Sequence, residues 1–371
     1  MFRKRSFSTH NVYRGRKKSS FPKILIFILI ALVLLVCGFF FLQRYVVYTS
    51  NGFHFDFPFL NREEPAQTQK PATKPADDAS TKPDKTETPA VTPPEKPAAQ
   101  PVAMKAMEAD LSQIVQENVR SALIAKAKAL GCNTVTLAIK TQNGKVLIPT
   151  TSEYAGQVSA AAPVNGAAEA LSALKAADLS PIAVIDVCRD DIAPRALRDA
   201  ALRTASGAVW LDRRNIAWLA PSSATTRDYL AQLIADCKTA GFDGAVLEAL
   251  QYPSLGKTSL IVTDRDADRF AAVSSLAAAA KTAAGDSFSI SVALTESAAS
   301  SLKDEASAQD VAALAKSCDA LIADAPSDSV LQALKTAAQA QNTGCAVISR
   351  QPGANLTAAP SDSILTGVPI A

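Results

Sequence analysis

Over about its last 270 residues, the chain alternates short apolar runs with longer segments of helical periodicity. Each apolar run has the length of a buried strand, and parallel strands need a crossover connection to return to the same edge of a sheet. The length is typical of one barrel of eight strands and eight helices. The pattern therefore predicts an α/β fold, namely a (β/α)8 TIM-like barrel.

The candidate strands number one fewer than a closed barrel requires. A helix is predicted over residues 107–130, before the first of these strands. A barrel with one irregular or missing strand is one interpretation, and an open doubly wound sheet is the alternative. The candidate strands are 134–140, 182–188, 245–250, 288–294, 320–323, 346–349 and 363–367.

The amino terminus has the pattern of a signal anchor. Residues 1–23 are rich in Lys and Arg and lack acidic residues, and residues 24–42 carry no charge over a length that spans a bilayer as a helix. The basic run could be a nucleic-acid patch, but before an apolar segment it is typical of a topology signal. No small-residue cleavage site follows. We expect a single-pass cell-membrane protein with a cytoplasmic amino terminus and an extracytoplasmic carboxyl-terminal domain.

Two segments separate the predicted anchor from the predicted barrel. Residues 43–60 form a juxtamembrane segment, and residues 61–102 are rich in Pro, Lys and Thr. Such a composition cannot bury a core, so we predict a disordered linker that holds the domain at 103–371 away from the membrane.

Composition excludes several kinds of chemistry. Both histidines, His10 and His54, precede residue 103, which argues against a zinc site and against Ser-His-Asp or Cys-His catalysis in the domain. No glycine-rich phosphate loop follows a strand, so no nucleotide cofactor is expected. The net charge of +3 includes the basic tail and gives no reason to expect nucleic acid as a partner. We predict no metal, no cofactor and no nucleic-acid partner.

The cysteines of the predicted domain do not form a disulfide framework. They are odd in number, lack a C-x-x-C pair and lie within or beside predicted strands and helices. We predict that they are buried thiols: Cys132, Cys188, Cys237, Cys318 and Cys345.

Residues 209–253 contain the densest set of recognisable features. Two Trp-Leu pairs flank a polar turn, an amphipathic helix opens after Pro221 and ends at Gly241, and an apolar run then leads to Glu248. A carboxylate at the end of a buried strand is where an α/β barrel places its chemistry.

The order W-x-D, WL-x-P-S, D-Y-L and GFD-x-x-x-x-E-x-x-x-YP in this segment resembles a bacterial TIM-barrel family of glycoside-hydrolase-like domains of largely unassigned function. In that family the strand after GFD ends in an aspartate, and Glu248 stands here. The aromatic and basic residues that follow it are replaced by Ala249 and Gln251. The family's first strand carries an aspartate two residues before a lysine, and here Ala138 precedes Lys140. The resemblance implies a barrel that acts on a cell-envelope or extracellular polysaccharide.

Carboxylates are the natural acid and base groups in a domain without histidine, and glycoside hydrolysis uses two of them. Glu248 is the first candidate because it stands at the family's carboxylate position. Asp186 follows the apolar run Ile-Ala-Val-Ile within the second strand, and Asp212 belongs to W-x-D. The alternatives are ion pairs with arginine for Glu248 and Asp186, and a turn-forming role for Asp212. Glu296 and Asp324 are further candidates for the second carboxylate.

Aromatic side chains near these carboxylates are candidates for sugar stacking, because flat rings bind flat ligands at low entropic cost. They are Trp210, Trp218 and Tyr252, and the resemblance adds Lys140 and Gln251 as candidate substrate-binding residues. The two tryptophans could equally be hydrophobic plugs between loop and barrel.

Two function classes stay open. The first is a membrane-anchored glycoside hydrolase acting on a polysaccharide or peptidoglycan-type glycan. The second is a catalytically degenerate barrel that binds glycan or an envelope protein as a scaffold. Two carboxyl groups about 5–10 Å apart in an open cleft would favour the hydrolase. A filled barrel mouth, or Glu248 in an ion pair, would favour the scaffold.

Overall fold

The structure is a computed structural model that describes residues 46–49, 52–55 and 103–370. In the amino-terminal unit, β1 (Val46–Thr49) pairs antiparallel with β2 (Gly52–Phe55). The predicted transmembrane segment at 24–42 and the predicted linker at 61–102 lie outside the described residues. Within the described ranges, no helix is both long enough and apolar enough to cross a membrane.

Eight parallel strands form a closed barrel, each hydrogen-bonded to its neighbours in chain order and the last to the first. The predicted barrel is therefore confirmed in its complete form, and the open sheet is not observed. The barrel strands are β3 (Lys105–Ala109), β4 (Thr134–Lys140), β5 (Ser180–Asp186), β6 (Gly244–Glu248), β7 (Ser289–Ala293), β10 (Ala320–Asp324), β11 (Ala346–Pro352) and β12 (Ser363–Thr366).

Helices lie in the connections between the strands, together with the short antiparallel pair β8 (Lys303–Asp304) and β9 (Gln309–Asp310). Residues 353–362 join β11 to β12 without a helix. The helices are α1 (Leu111–Ile114), α2 (Glu117–Leu130), α3 (Glu153–Gln157), α4 (Ala167–Ala176), α5 (Ala193–Ala196), α6 (Ala224–Ala240), α7 (Arg269–Ala284), α8 (Glu296–Ser301), α9 (Val311–Ala315) and α10 (Asp328–Gln339).

The strand β3 corrects the sequence prediction, which placed its second half in a helix from 107 to 130. Its sequence, KAMEA, contains no β-branched residue and favours a helix by intrinsic propensity. The segment is nevertheless extended, because its backbone pairs with β4 and β12 and because Ala106 and Met107 are fully buried. Tertiary pairing thus overrides local preference and supplies the eighth strand.

The core has two layers, because successive side chains of a strand point to opposite faces. The inner layer fills the barrel and the outer layer packs between barrel and helices. The inner layer consists of Ala106, Ile182, Val246, Ala320, Ile322, Ile348 and Ile364. All five described cysteines are buried free thiols, as predicted.

The helix α6 follows the predicted pattern. It ends at Gly241, which has a φ of 101° and donates its backbone N–H to Cys237 and Lys238 carbonyls. A residue with a Cβ is strained at such a φ, so glycine ends the helix here. The chain then enters β6, whose last residue is Glu248.

Candidate active site at the barrel mouth

Asp186 and Glu248 are the last residues of neighbouring strands β5 and β6, and they are register partners. Neighbouring strands lie about 4.8 Å apart, so the two carboxylates start from adjacent positions of the barrel wall. Both line a cavity of about 220 Å³ at the carboxyl end of the barrel. We call it the central cavity; its wall also includes Glu108, Thr136, Ala138, Lys140, Arg189 and Arg350.

Glu248 forms an ion pair with Arg350 of β11. Arg350 also contacts Asp324, with 3.2 Å between its Nη1 and the aspartate Oδ1. Burial raises the pKa of Glu248 above its ordinary value, Arg350 opposes this shift, and the charge of Asp186 adds to it. One criterion for the scaffold is therefore met, although the mouth of the barrel remains open.

Asp186 is 6% exposed, and both of its carboxyl oxygens accept hydrogen bonds at 3.1 Å from Nη2 of Arg189. Burial raises the pKa of Asp186, while the nearby charges of Arg189 and Lys140 oppose the shift. Asp186 thus forms an ion pair with arginine, the alternative to a catalytic role, and it also lines the cavity beside Glu248.

Lys140 lies at the end of β4 and is 1% exposed. Its Nζ lies 2.9 Å from Oδ2 of the fully buried Asp190 and donates a 2.5 Å hydrogen bond to the backbone carbonyl of Asp186. The lysine predicted to bind substrate is therefore held by protein groups. In this structure it ties the end of β5 to β4.

Two alanines at the mouth have backbone conformations that are costly for a residue with a Cβ. Ala249 follows Glu248 with a φ of 46°, and Ala325 follows Asp324 with a φ of 39°. Such strain is concentrated at functional sites, where surrounding contacts hold it in place. It occurs here directly after Glu248 and Asp324, the two carboxylates that form ion pairs with Arg350.

Two further cavities adjoin the central one. The arginine cavity, about 160 Å³, shares Arg189 with it and is lined by Arg189, Arg213, Arg214, Asp212, Trp218, Gln251, Pro253, Ser254 and Leu255. The outer cavity, about 560 Å³, shares Glu108, Ala138 and Thr141 with it and extends to Lys145 and Ile370. Neighbouring cavities share wall residues, so the three lie next to one another at the mouth, and we refer to them together as the groove.

Asp212 lies in the wall of the arginine cavity, but its oxygens serve a turn. Oδ1 accepts the backbone N–H groups of Arg214 at 2.8 Å and Ile216 at 3.0 Å, and Oδ2 accepts Nε1 of Trp218 at 3.1 Å. These three donors give Asp212 the turn-forming role that was the alternative to catalysis.

The aromatic candidates separate into two groups. Trp218 and Gln251 line the arginine cavity. Trp210 and Tyr252 are each 2% exposed and line none of the three cavities. Nε1 of Trp210 donates to the Lys257 carbonyl at 3.0 Å, and the hydroxyl of Tyr252 donates to Asp264 at 2.6 Å.

The remaining acidic candidates also differ in position. Asp324 joins the site through Arg350. Glu296 is exposed in the first turn of α8 and lines none of the three cavities. The sequence pattern does not indicate Glu108, because β3 has helical propensity, and it does not indicate Arg350. A basic residue near the end of a predicted strand was the available signal for Arg350.

Among the described residues, no three His, Cys, Asp or Glu side chains cluster in a way that could hold a metal ion.

Comparison with known proteins identifies a family. The family described as "Putative glycosyl hydrolase domain" matches residues 110–328. No curated protein sequence matches.

Several solved structures are similar at low identity. The glycoside hydrolase domain of PgaB (BpsB) from Bordetella bronchiseptica is 14% identical with a TM-score of 0.47, over 68% of this chain and 85% of that one. A hypothetical protein from Ruminiclostridium thermocellum is 15% identical with a TM-score of 0.45, over 50% and 96%. The glycoside hydrolase domain of PelA from Pseudomonas aeruginosa is 13% identical with a TM-score of 0.39, over 67% and 84%.

Proposed function

The chain belongs to the family of glycosyl hydrolase domains that matches residues 110–328, and from this premise we propose that it hydrolyses a polysaccharide at the mouth of its barrel. The observation that carries the proposal is the pairing of Asp186 with Glu248 at the ends of β5 and β6. Glycoside hydrolysis requires two carboxyl groups on either side of one sugar bond.

The two carboxyl groups divide the acid and base work. Burial raises both pKa values, and the charge of Asp186 disfavours ionisation of Glu248. Such a pair holds one proton over part of the acidic range, because ionising the second group costs more than ionising the first. The protonated carboxyl donates its proton to the glycosidic oxygen. The ionised carboxylate then attacks the anomeric carbon or takes a proton from the attacking water.

The arginines hold these groups in place. Arg189 donates hydrogen bonds to both oxygens of Asp186. Arg350, on the opposite wall, forms ion pairs with Glu248 and Asp324. A carboxylate held by a guanidinium loses less freedom when the substrate binds, which favours a well-oriented reaction. The central cavity and its two neighbours offer room for more than one sugar unit, which suits a polymer better than an isolated monosaccharide.

The second candidate function is glycan binding without hydrolysis. It is favoured by the ion pair between Glu248 and Arg350, which uses lone pairs that an acid or nucleophile needs. In that case the groove would retain a glycan or an envelope protein as part of a scaffold.

The proposed location is outside the cell, with residues 24–42 as the membrane anchor. It rests on the uncharged length of that segment and on the basic residues before it. Protease added to intact cells should remove the barrel and leave the amino terminus protected. Full protection of the barrel in intact but not in lysed cells would overturn this proposal.

The function is tested with the full chain on a panel of polyuronate, peptidoglycan, teichoic-type and neutral glycans, with Glu248→Gln alongside. Reducing ends that the native chain releases and the variant does not would support hydrolysis. Binding without release, equal in both proteins, would support the scaffold instead.

A further inference from the structure

We propose that the arginine cavity binds an anionic group of the glycan, either the carboxylate of a uronic acid or a phosphodiester. This inference rests on the proposed function in one respect, namely that a glycan chain lies in the groove. It adds the class of glycan: a polymer that carries negative charge next to the bond at the central cavity.

The wall of the arginine cavity is positively charged. Its charged side chains are Arg189, Arg213, Arg214 and Asp212. The single carboxylate already accepts two backbone N–H groups and Nε1 of Trp218. The wall therefore has more positive than negative side chains. Its one carboxylate, Asp212, is already hydrogen-bonded to other donors.

Two of the three arginines in the wall of the arginine cavity differ from the third. Arg189 forms an ion pair with Asp186. Arg213 and Arg214 are exposed, and within residues 103–370 neither has a carboxylate partner at ion-pair distance. Free guanidinium groups at the wall of a cavity are available to an anionic ligand.

The turn that carries these two arginines is ordered before any ligand arrives. Asp212 accepts the N–H of Arg214, and Asn215 adopts a φ of 61° with its N–H donated to the Asp212 carbonyl at 3.0 Å. Asparagine tolerates this left-handed conformation better than most residues. A preformed backbone lowers the entropic cost of binding a ligand at this turn.

Arg189 connects the proposed subsite to the carboxylate pair. Its Nη2 is engaged by Asp186, whereas its Nε is buried and has no hydrogen-bond partner among the described residues. The same side chain lines both the central cavity and the arginine cavity. An anionic group there would lie next to the residue that orients Asp186.

Carboxylate and phosphate oxygens are the acceptors that match this donor set. A guanidinium presents N–H donors in a planar fork, and its charge-assisted hydrogen bonds are about twice as strong as neutral ones. A neutral sugar hydroxyl offers no charge to the three arginines. The wall therefore favours a charged glycan over a neutral one of the same shape.

The test measures binding to the full chain carrying Glu248→Gln, so that turnover does not consume the ligand. The probes are oligogalacturonate, its fully methyl-esterified form and an oligomer of glycerol phosphate. We compare this protein with one that also carries Arg213→Gln and Arg214→Gln. The matched control carries Lys126→Gln and Lys128→Gln, which remove the same charge from α2 on the outside of the barrel.

We expect the oligogalacturonate or the glycerol phosphate oligomer to bind more tightly than the esterified probe. The arginine variant should lose at least about tenfold in affinity for that anionic probe, as expected for the loss of one charge-assisted hydrogen bond. The lysine control should retain the parent's affinity for the anionic probe. Which anionic probe binds identifies carboxylate or phosphate as the source of the charge.

Equal affinity for charged and esterified probes would overturn the inference, and so would an arginine variant that binds the anionic probe as well as its parent does. Anionic binding by a native chain that releases no reducing ends would leave this inference standing while the proposed hydrolysis fails. Cleavage of neutral glycans with no preference for charge would support the proposed hydrolysis and overturn this inference.

Discussion

The carboxylate of Glu248 and the guanidinium of Arg350 form an ion pair across the mouth of the barrel. They belong to β6 and β11, which are separated in the barrel by β7 and β10. The contact therefore crosses the opening rather than running along its wall. It gives the half-buried Glu248 a counter-ion, which offsets the cost of removing a charge from water.

Removing this guanidinium should shift the pH dependence of the reaction. Arg350→Met leaves Glu248 without its counter-ion, so its pKa should rise further above the ordinary value. The limb of the kcat/KM profile that reports ionisation of Glu248 should move to higher pH, and Arg350→Lys should move it less. A profile that both variants leave unchanged would show that Glu248 does not control the rate.

Asp186 should make the protein less stable as the pH rises through the acidic range. Its folded pKa is raised above the ordinary value of 3.8. Below that value the carboxyl group is protonated in both states. As the pH rises from 3.8 to the raised folded value, the unfolded chain releases its proton first, so the free energy of unfolding falls.

The test compares the native chain with Asp186→Asn by urea unfolding at several pH values across this window. The variant should gain stability relative to the native chain as the pH rises, on top of any constant effect of losing the Arg189 contact. A difference that does not depend on pH would mean that burial does not raise the pKa of Asp186.

The buried pair of Lys140 and Asp190 should be important for stability. Lys140→Met leaves a fully buried carboxylate without its partner, which typically costs about 3–5 kcal/mol. In the double variant Lys140→Met, Asp190→Asn, the buried negative charge is removed. The asparagine still offers an acceptor for the backbone N–H groups of Ile192 and Ala193. Denaturant unfolding should show that the double variant recovers part of the loss. A Lys140→Met variant as stable as the native chain would show that the buried ion pair is not important for stability.

Tyr252 and Gln251 are neighbours in the chain with opposite expected effects. Tyr252→Phe removes the hydrogen bond to Asp264 in a buried site and should cost about 1.5–3 kcal/mol of stability, with glycan affinity unchanged. Gln251→Ala changes a residue in the wall of the arginine cavity and should weaken glycan binding with little effect on stability. The reverse pattern, from unfolding and binding measurements, would support Tyr252 as a sugar platform.

The sequence predicted the barrel because seven of its strands are apolar runs, most of them separated by helical segments. It missed β3 because KAMEA has helical propensity, and only pairing with β4 and β12 makes it a strand. Missing β3 also hid Glu108. Periodicity could place Glu248 and Asp186 at strand ends, since strand ends of a parallel barrel meet at one face.

The sequence alone could not show which side chains already form hydrogen bonds or ion pairs within the protein. Trp210 and Tyr252 are the residue types that bind sugars, but their polar atoms serve buried hydrogen bonds to Lys257 and Asp264. The contact between Glu248 and Arg350 joins residues 102 positions apart. Only the closure of the barrel brings them together.

The most direct test of the carboxylate pair is a double-mutant comparison of kcat/KM on a glycan that the native chain cleaves. If Asp186 and Glu248 act as one unit, Asp186→Asn and Glu248→Gln should each reduce kcat/KM by at least about a thousandfold, and the double variant should lose little more. Full activity in either correctly folded single variant would show that the two carboxylates do not act together in catalysis.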